Sequence, residues 1–131
     1  MQHIVTILIA ILIFCIIVVI HEFGHFIAAK LNRIQVNQFA VGMGPKLLHF
    51  QKGETEYSLR LFPVGGFCAM EGEDQSSDNP NAFEKKPVWR RMTVILAGPF
   101  MNLVLGFLLI VILLCTAQKV NGSGLALAVL M

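Results

Sequence analysis

Residues 21–25 read His-Glu-Phe-Gly-His, two imidazoles one helical turn apart with a carboxylate beside the first. At about 100° per residue, His21 and His25 fall about 40° apart on a helix and Glu22 lies about 100° from His21, so one face carries all three. A single ion could meet both imidazoles. Zinc suits neutral imidazole nitrogen, takes three protein ligands in a catalytic site and lowers the pKa of a bound water to about 7. A carboxylate that is not itself a ligand can then take a proton from that water as it attacks a peptide carbonyl. Glu22 has that place. Taken singly, a histidine on an apolar face reads as a hydrogen-bonded core residue, and an intramembrane glutamate as an ion-paired or protonated acid. The three together favour the metal, because each unsatisfied polar group is costly in hydrocarbon and one shared ion offsets all three.

The elements that must position these residues are apolar. Of the 131 residues 56% are hydrophobic and 14% charged, with a mean hydropathy of +0.71, which is the composition of a membrane protein. Two stretches reach the roughly 20 residues needed to cross a bilayer, residues 4–29, interrupted only by the polar groups of the motif, and residues 92–117. The N-terminal "MQH" supplies no basic region and no small-residue cleavage site precedes Lys30, so the first stretch is expected to be a retained span rather than a cleaved signal. From Ile4 to His21 is about 26 Å along a helix at 1.5 Å per residue, within the bilayer and toward its far side.

No Lys or Arg precedes Lys30, nine of the ten lie from Lys30 to Arg91, and Lys119 follows the second span. The positive-inside rule therefore puts the loop 30–91 in the cytoplasm and the N-terminus outside, in a multi-pass protein of the plasma membrane. Lys30 and Arg33 close the first span and "EKKPVWRR", residues 84–91, opens the second. These charges belong at the headgroups of the lipid bilayer, and a net charge of +2 gives no argument for nucleic acid. Cys15, Cys68 and Cys115 are isolated from one another and imply neither a disulfide framework nor a cysteine metal site.

Between the spans, residues 34–70 carry strand and turn signals, and 71–91 form a polar loop. Turns are expected at Gly42, Gly44 and Pro45, at residues 52–55, and at Gly65-Gly66, with Tyr57, Leu59 and Leu61 alternating against Ser58 and Arg60, the pattern of short antiparallel strands. The expected fold is thus a single, mainly α-helical membrane domain, two transmembrane helices flanking a small membrane-associated antiparallel β-hairpin or sheet. Residues 118–131 are left as a tail without an assigned structure. Gly98-Pro99 and Asn102 in the second span read as helix packing. His49, in a strand-like segment beside Lys46 and Lys52, and His3, at the opposite end of the first span, are not expected to be ligands.

The chain resembles the site-2 proteases, the intramembrane zinc metalloproteases, and specifically the bacterial type that cleaves anti-sigma factors and remnant signal peptides. The resemblance runs over residues 1 to about 117 and rests on HEFGH, "FAVGMGPKLLHF" (39–50), "YSLRLFPVGGFCAMEGED" (57–74) and "PVWRRMTVILAGPFMNLVLG" (87–106). It implies His21 and His25 as ligands to Zn2+, Glu22 as general base, and Gly42, Met43 and Gly44 in a membrane-re-entrant hairpin. Such a hairpin would offer a strand edge to single-span membrane protein substrates, whose helices must unwind before their carbonyls can be attacked. Read without the resemblance, Gly42, Gly44, Gly65 and Gly66 are equally well explained as turn residues.

In the family the third zinc ligand is an Asp in a Leu-Asp-Gly motif on a later helix. This chain has no such motif, and its two aspartates, Asp74 and Asp78, lie in the polar loop, from which reaching an ion in the bilayer would draw "GEDQSSDN" into hydrocarbon. Nor does the family's PDZ domain appear, so Met131 reads as the end of a fragment, inactive alone. The first expectation is an intramembrane zinc endopeptidase. The alternatives are a non-catalytic membrane module that binds helical partners through its hairpin, and a zinc-handling membrane protein that has no need of Glu22.

Overall fold

A computed structural model describes the backbone from residue 2 to residue 129 and the side chains as far as residue 117. Helix α1 (Gln2–Leu31) is followed by strands β1 (Val36–Lys52) and β2 (Thr55–Met70), a 3-10 turn at Phe83–Lys85, and helix α2 (Val88–Val129). Two long apolar helices flank a small sheet, the architecture of a mainly helical membrane protein. The second helix starts before Met92 and continues past Ala117, the limits expected from its hydropathy. The side chains of the tail, 118–131, lie outside the described residues.

Helix α1 has no amphipathic stripe, and its large apolar side chains from Ile4 to Ile17 are 37–63% exposed. Such a surface needs hydrocarbon as its solvent. Its last turn closes on Asn32 N–H to Ala28 O (3.0 Å) and Ile34 N–H to Ala29 O (2.9 Å), with Arg33 left-handed at φ 55°, the Schellman arrangement usually given to glycine.

The strands form one antiparallel two-stranded sheet, but its register does not run straight. Gln38, Phe39, Ala40 and Val41 are partnered on one side by Ala69, Cys68, Phe67 and Gly66, with numbers running in opposite directions. On the other side they are partnered by Glu56, Tyr57, Ser58 and Leu59, with numbers rising together. Residues 56–59 pair in turn with 51–48. Each strand therefore bends back, and the sheet is locally four segments wide, in the order 48–52, 55–59, 38–41, 66–70. Its open edges are the first and last of these.

Only the turn at Gly53-Glu54 separates β1 from β2. The turns expected at Gly42–Pro45 and Gly65-Gly66 are bends inside the strands. A backbone with positive φ at Gly42 (84°) changes direction without ending the pairing, which resumes at Met43↔Phe62. Turn residues in a sequence do not distinguish the end of a strand from a bulge within it.

Phe39 and Tyr57 pack on α1 through Phe26, at ring-centroid distances of 5.3 and 5.9 Å. Lys30 Nζ donates to Thr55 Oγ1 (2.8 Å), whose hydroxyl donates to Val36 O (2.7 Å). The Lys30 ammonium, expected at headgroups, is thus bonded to the sheet. Ala29, Ile34, Val36, Cys68, Met70 and Val94 form the buried core where α1, both strands and the start of α2 meet.

The polar loop is anchored to that core. Gln35 N–H donates to Asn81 O and Phe83 N–H to Glu71 O (2.9 and 2.7 Å), while Asn37 Nδ2 and Ser77 Oγ donate to the Glu71 carboxylate. These two donors hold the Glu71 carboxyl below its ordinary pKa.

Candidate metal centre

His21 and His25 lie on successive turns of α1, their ring centroids 4.8 Å apart and their planes at 77°. His25 Nδ1–H donates to Val94 O at 2.7 Å. A carbonyl can only accept, so a proton sits on Nδ1, and the tautomer that this bond selects carries its lone pair on Nε2. Metal-bound histidines are held by the same kind of bond, which fixes both tautomer and ring plane.

Both Nε2 atoms converge on Gly98. A Cβ built there would stand 2.6 Å from His21 Nε2 and closer still to His25 Nε2, nearer than a side-chain carbon can approach without displacing the rings. Any side chain at 98 would therefore collide with both imidazoles and push them out of their present orientation. Two imidazoles, one of them oriented by Val94 O and both packed against Gly98, are the side chains that could hold an ion here.

Gly24, the fourth residue of the motif, also makes room. A Cβ there would meet Ala97 O at 2.5 Å and Met101 Cγ at 2.8 Å, so α1 and the first turns of α2 approach through a glycine. That approach brings Val94 O and Gly98 to the histidines. Sequence reasoning assigned Gly98 to packing and gave Gly24 no role. The available signal was a glycine inside each long apolar helix, where a glycine costs about 1 kcal/mol relative to alanine and so points to a packing or functional reason.

Glu22 and His25 line a pocket of ≈ 230 Å³ with Cys68, Met70, Glu73, Phe83, Val94 and Ile95. Pro99 has no N–H to give the carbonyl of Ile95 in the same pocket. Burial, with the charges of Glu22 and Glu73 adding to it, pushes the Cys68 thiol up to about 12, so Cys68 is an inert thiol at neutral pH.

Gly42, Met43, Gly44 and Gly65 gather at the bends of the hairpin. A Cβ on Gly42 would meet Phe62 O at 2.5 Å, and one on Gly65 would meet Met43 Cε at 3.0 Å. They do not line the pocket with Glu22. Gly66 opens the edge segment 66–70, whose Cys68 and Met70 do. Asp74 and Asp78 are exposed. Among the described residues no His, Cys, Asp or Glu makes a third with the two imidazoles.

A His-Glu-x-x-His helix in an apolar, membrane-spanning setting defines a membrane metalloprotein. Comparison with known proteins narrows this: residues 9–129 match Peptidase family M50, and the chain belongs to that family, the site-2 proteases. It is 50% identical over 120 residues to a Clostridium acetobutylicum protein assigned by name to the zinc metalloproteases, covering 92% of this chain and 34% of that one. A Fusobacterium nucleatum protein assigned the same way is 39% identical over 117 residues, 89% of this chain and 33% of its own. The chloroplast membrane metalloprotease of Arabidopsis thaliana is 39% identical over 109 residues, 80% of this chain and 24% of its own. The chain spans about a third of the length of the first curated relatives it matches.

Proposed function

We propose that this chain supplies two zinc ligands, His21 and His25, and the general base, Glu22, of an intramembrane zinc endopeptidase. The observation that carries the reading is the convergence of both Nε2 atoms on the side-chain-free Gly98. Zinc, when bound, supplies Lewis acidity at the scissile carbonyl. Val94 O holds the His25 ring in the ligating tautomer. Glu22 takes the proton of the attacking water and passes it to the leaving amine. Two ligands leave a catalytic zinc one short, and in this reading the third comes from outside these residues, so the chain alone is inactive.

The substrates in this reading are single-span membrane proteins, of the anti-sigma-factor or remnant-signal-peptide kind. An unwound segment would add as a strand to the open edge 66–70, the edge that borders the Glu22 pocket. The basic residues from Lys30 to Arg91 favour a cytoplasmic face for the loop and an outside N-terminus. In the complete protein, Glu22→Gln is expected to lower the cleavage rate of a single-span substrate by at least about 10²–10⁴-fold, the range for general base catalysis, with bound zinc unchanged. Cleavage that persists in Glu22→Gln contradicts the assignment.

A further inference from the structure

The open edge 66–70 does not end freely. Glu71 N–H points inward, to Gln35 O at 2.9 Å, so by the alternation of a strand the backbone groups of Met70, Cys68 and Gly66 point outward. Met70 N–H, the last outward donor, is already taken: it donates to Glu73 Oε2 at 3.2 Å. Gly72, at φ 70°, makes the turn that folds Glu73 back onto the strand. The Glu73 side chain is exposed yet lines the pocket of Glu22 and His25, and its charge reaches the buried Cys68 thiol alongside that of Glu22.

We infer that Glu73 is a detachable cap on the substrate edge, its carboxylate standing where the carbonyl of an incoming extended peptide would accept the Met70 N–H. The inference rests on the proposed use of edge 66–70. An unsatisfied edge donor near hydrocarbon is costly, and a free strand edge invites pairing with the wrong chain. An exposed carboxylate on a short turn meets both problems and can swing away into water, where it loses little. Cys68 and Gly66 then seat a peptide first, and displacing Glu73 completes the register next to the general base. Glu73 is a positioning residue for the edge, with no part in the chemistry.

The test uses the full 131-residue chain loaded with zinc in phosphatidylcholine–phosphatidylglycerol nanodiscs, as wild type, Glu73→Ala and Glu73→Gln. Backbone amide exchange and the binding of a blocked leucine–alanine hexapeptide are followed in each. Without peptide, the Met70 amide is expected to exchange about 3- to 10-fold faster in Glu73→Ala, the factor one hydrogen bond carries, with the Glu71 amide unchanged. The peptide is expected to bind Glu73→Ala tighter by a similar factor, Glu73→Gln falling between, and to protect Cys68 and Met70 in all three. A merely structural turn residue would weaken binding when removed. Equal or weaker binding to Glu73→Ala overturns the cap, as does protection of Cys68 without Met70, and both leave the edge reading standing. Protection of none of Gly66, Cys68 and Met70 in any variant overturns the edge reading and the cap with it.

Discussion

At the helix crossing, Gly24 and Gly98 are ordinary helical residues that act by absence of volume: one lets α2 approach α1, the other lets two imidazole nitrogens pack against its backbone. In the hairpin, Gly42 acts by conformation, turning the strand through a φ that other residues rarely adopt. The two regions use the same residue for unrelated reasons. A methyl group added at the crossing meets the facing helix, Ala97 O from Gly24 or the two imidazoles from Gly98, and one added at Gly42 meets Phe62 O within the sheet.

Substitutions to alanine separate these uses. The largest effect is expected for Gly98→Ala, where the new methyl collides with both imidazole nitrogens and displaces them: zinc affinity, read by competition with a fluorescent chelator, falls by about 100-fold or more, beyond the 10–100-fold typical of losing an outer-shell partner. Next is Gly24→Ala, which forces the helices apart at Ala97 O. It is expected to cost about 1–3 kcal/mol, the usual price of overpacking, and to weaken zinc binding several-fold by drawing Val94 O away from His25, as the same titration with a denaturation curve checks. Gly42→Ala is expected to cost about 1–2 kcal/mol through the left-handed backbone and contact with Phe62 O, with zinc affinity unchanged. Zinc loss in Gly42→Ala would erase the distinction between the regions.

The smallest effect concerns the loop. The folded-state pKa of Glu71 lies below its unfolded value because Asn37 and Ser77 donate to the carboxylate. Its contribution is therefore complete above the ordinary glutamate pKa and disappears as pH falls through the lowered folded value. Glu71→Gln is expected to flatten that acid limb, measured by amide exchange at Gln35 and Phe83, and to leave zinc binding at neutral pH as it was.

The sequence was most legible where periodicity and cost coincide. Two apolar stretches of bilayer length did become two long helices, and the helical spacing of His21 and His25 did bring their rings together, 4.8 Å apart. The hairpin was legible in kind, from the alternation around Tyr57 and Leu59, but not in topology. Whether Gly42 ends a strand or bends it depends on which partner lies opposite, and 38–41 has partners on both sides. Val94 O and Gly98 could not be read at all, since a carbonyl carries no side-chain signature and a glycine names no neighbour. Only the crossing of α1 with the first turns of α2 puts a backbone oxygen 69 positions away against His25 Nδ1. The loop hid its order for a similar reason, its polar residues serving the start of β1 rather than solvent alone.

The imidazole pair itself is tested most directly by X-ray absorption at the zinc edge on the zinc-loaded chain in nanodiscs. Imidazole scattering from two ligands at about 2.0–2.1 Å, reduced to one in His21→Ala and in His25→Ala, is the expected result. A zinc spectrum without imidazole scattering, or one that neither substitution alters, would contradict it.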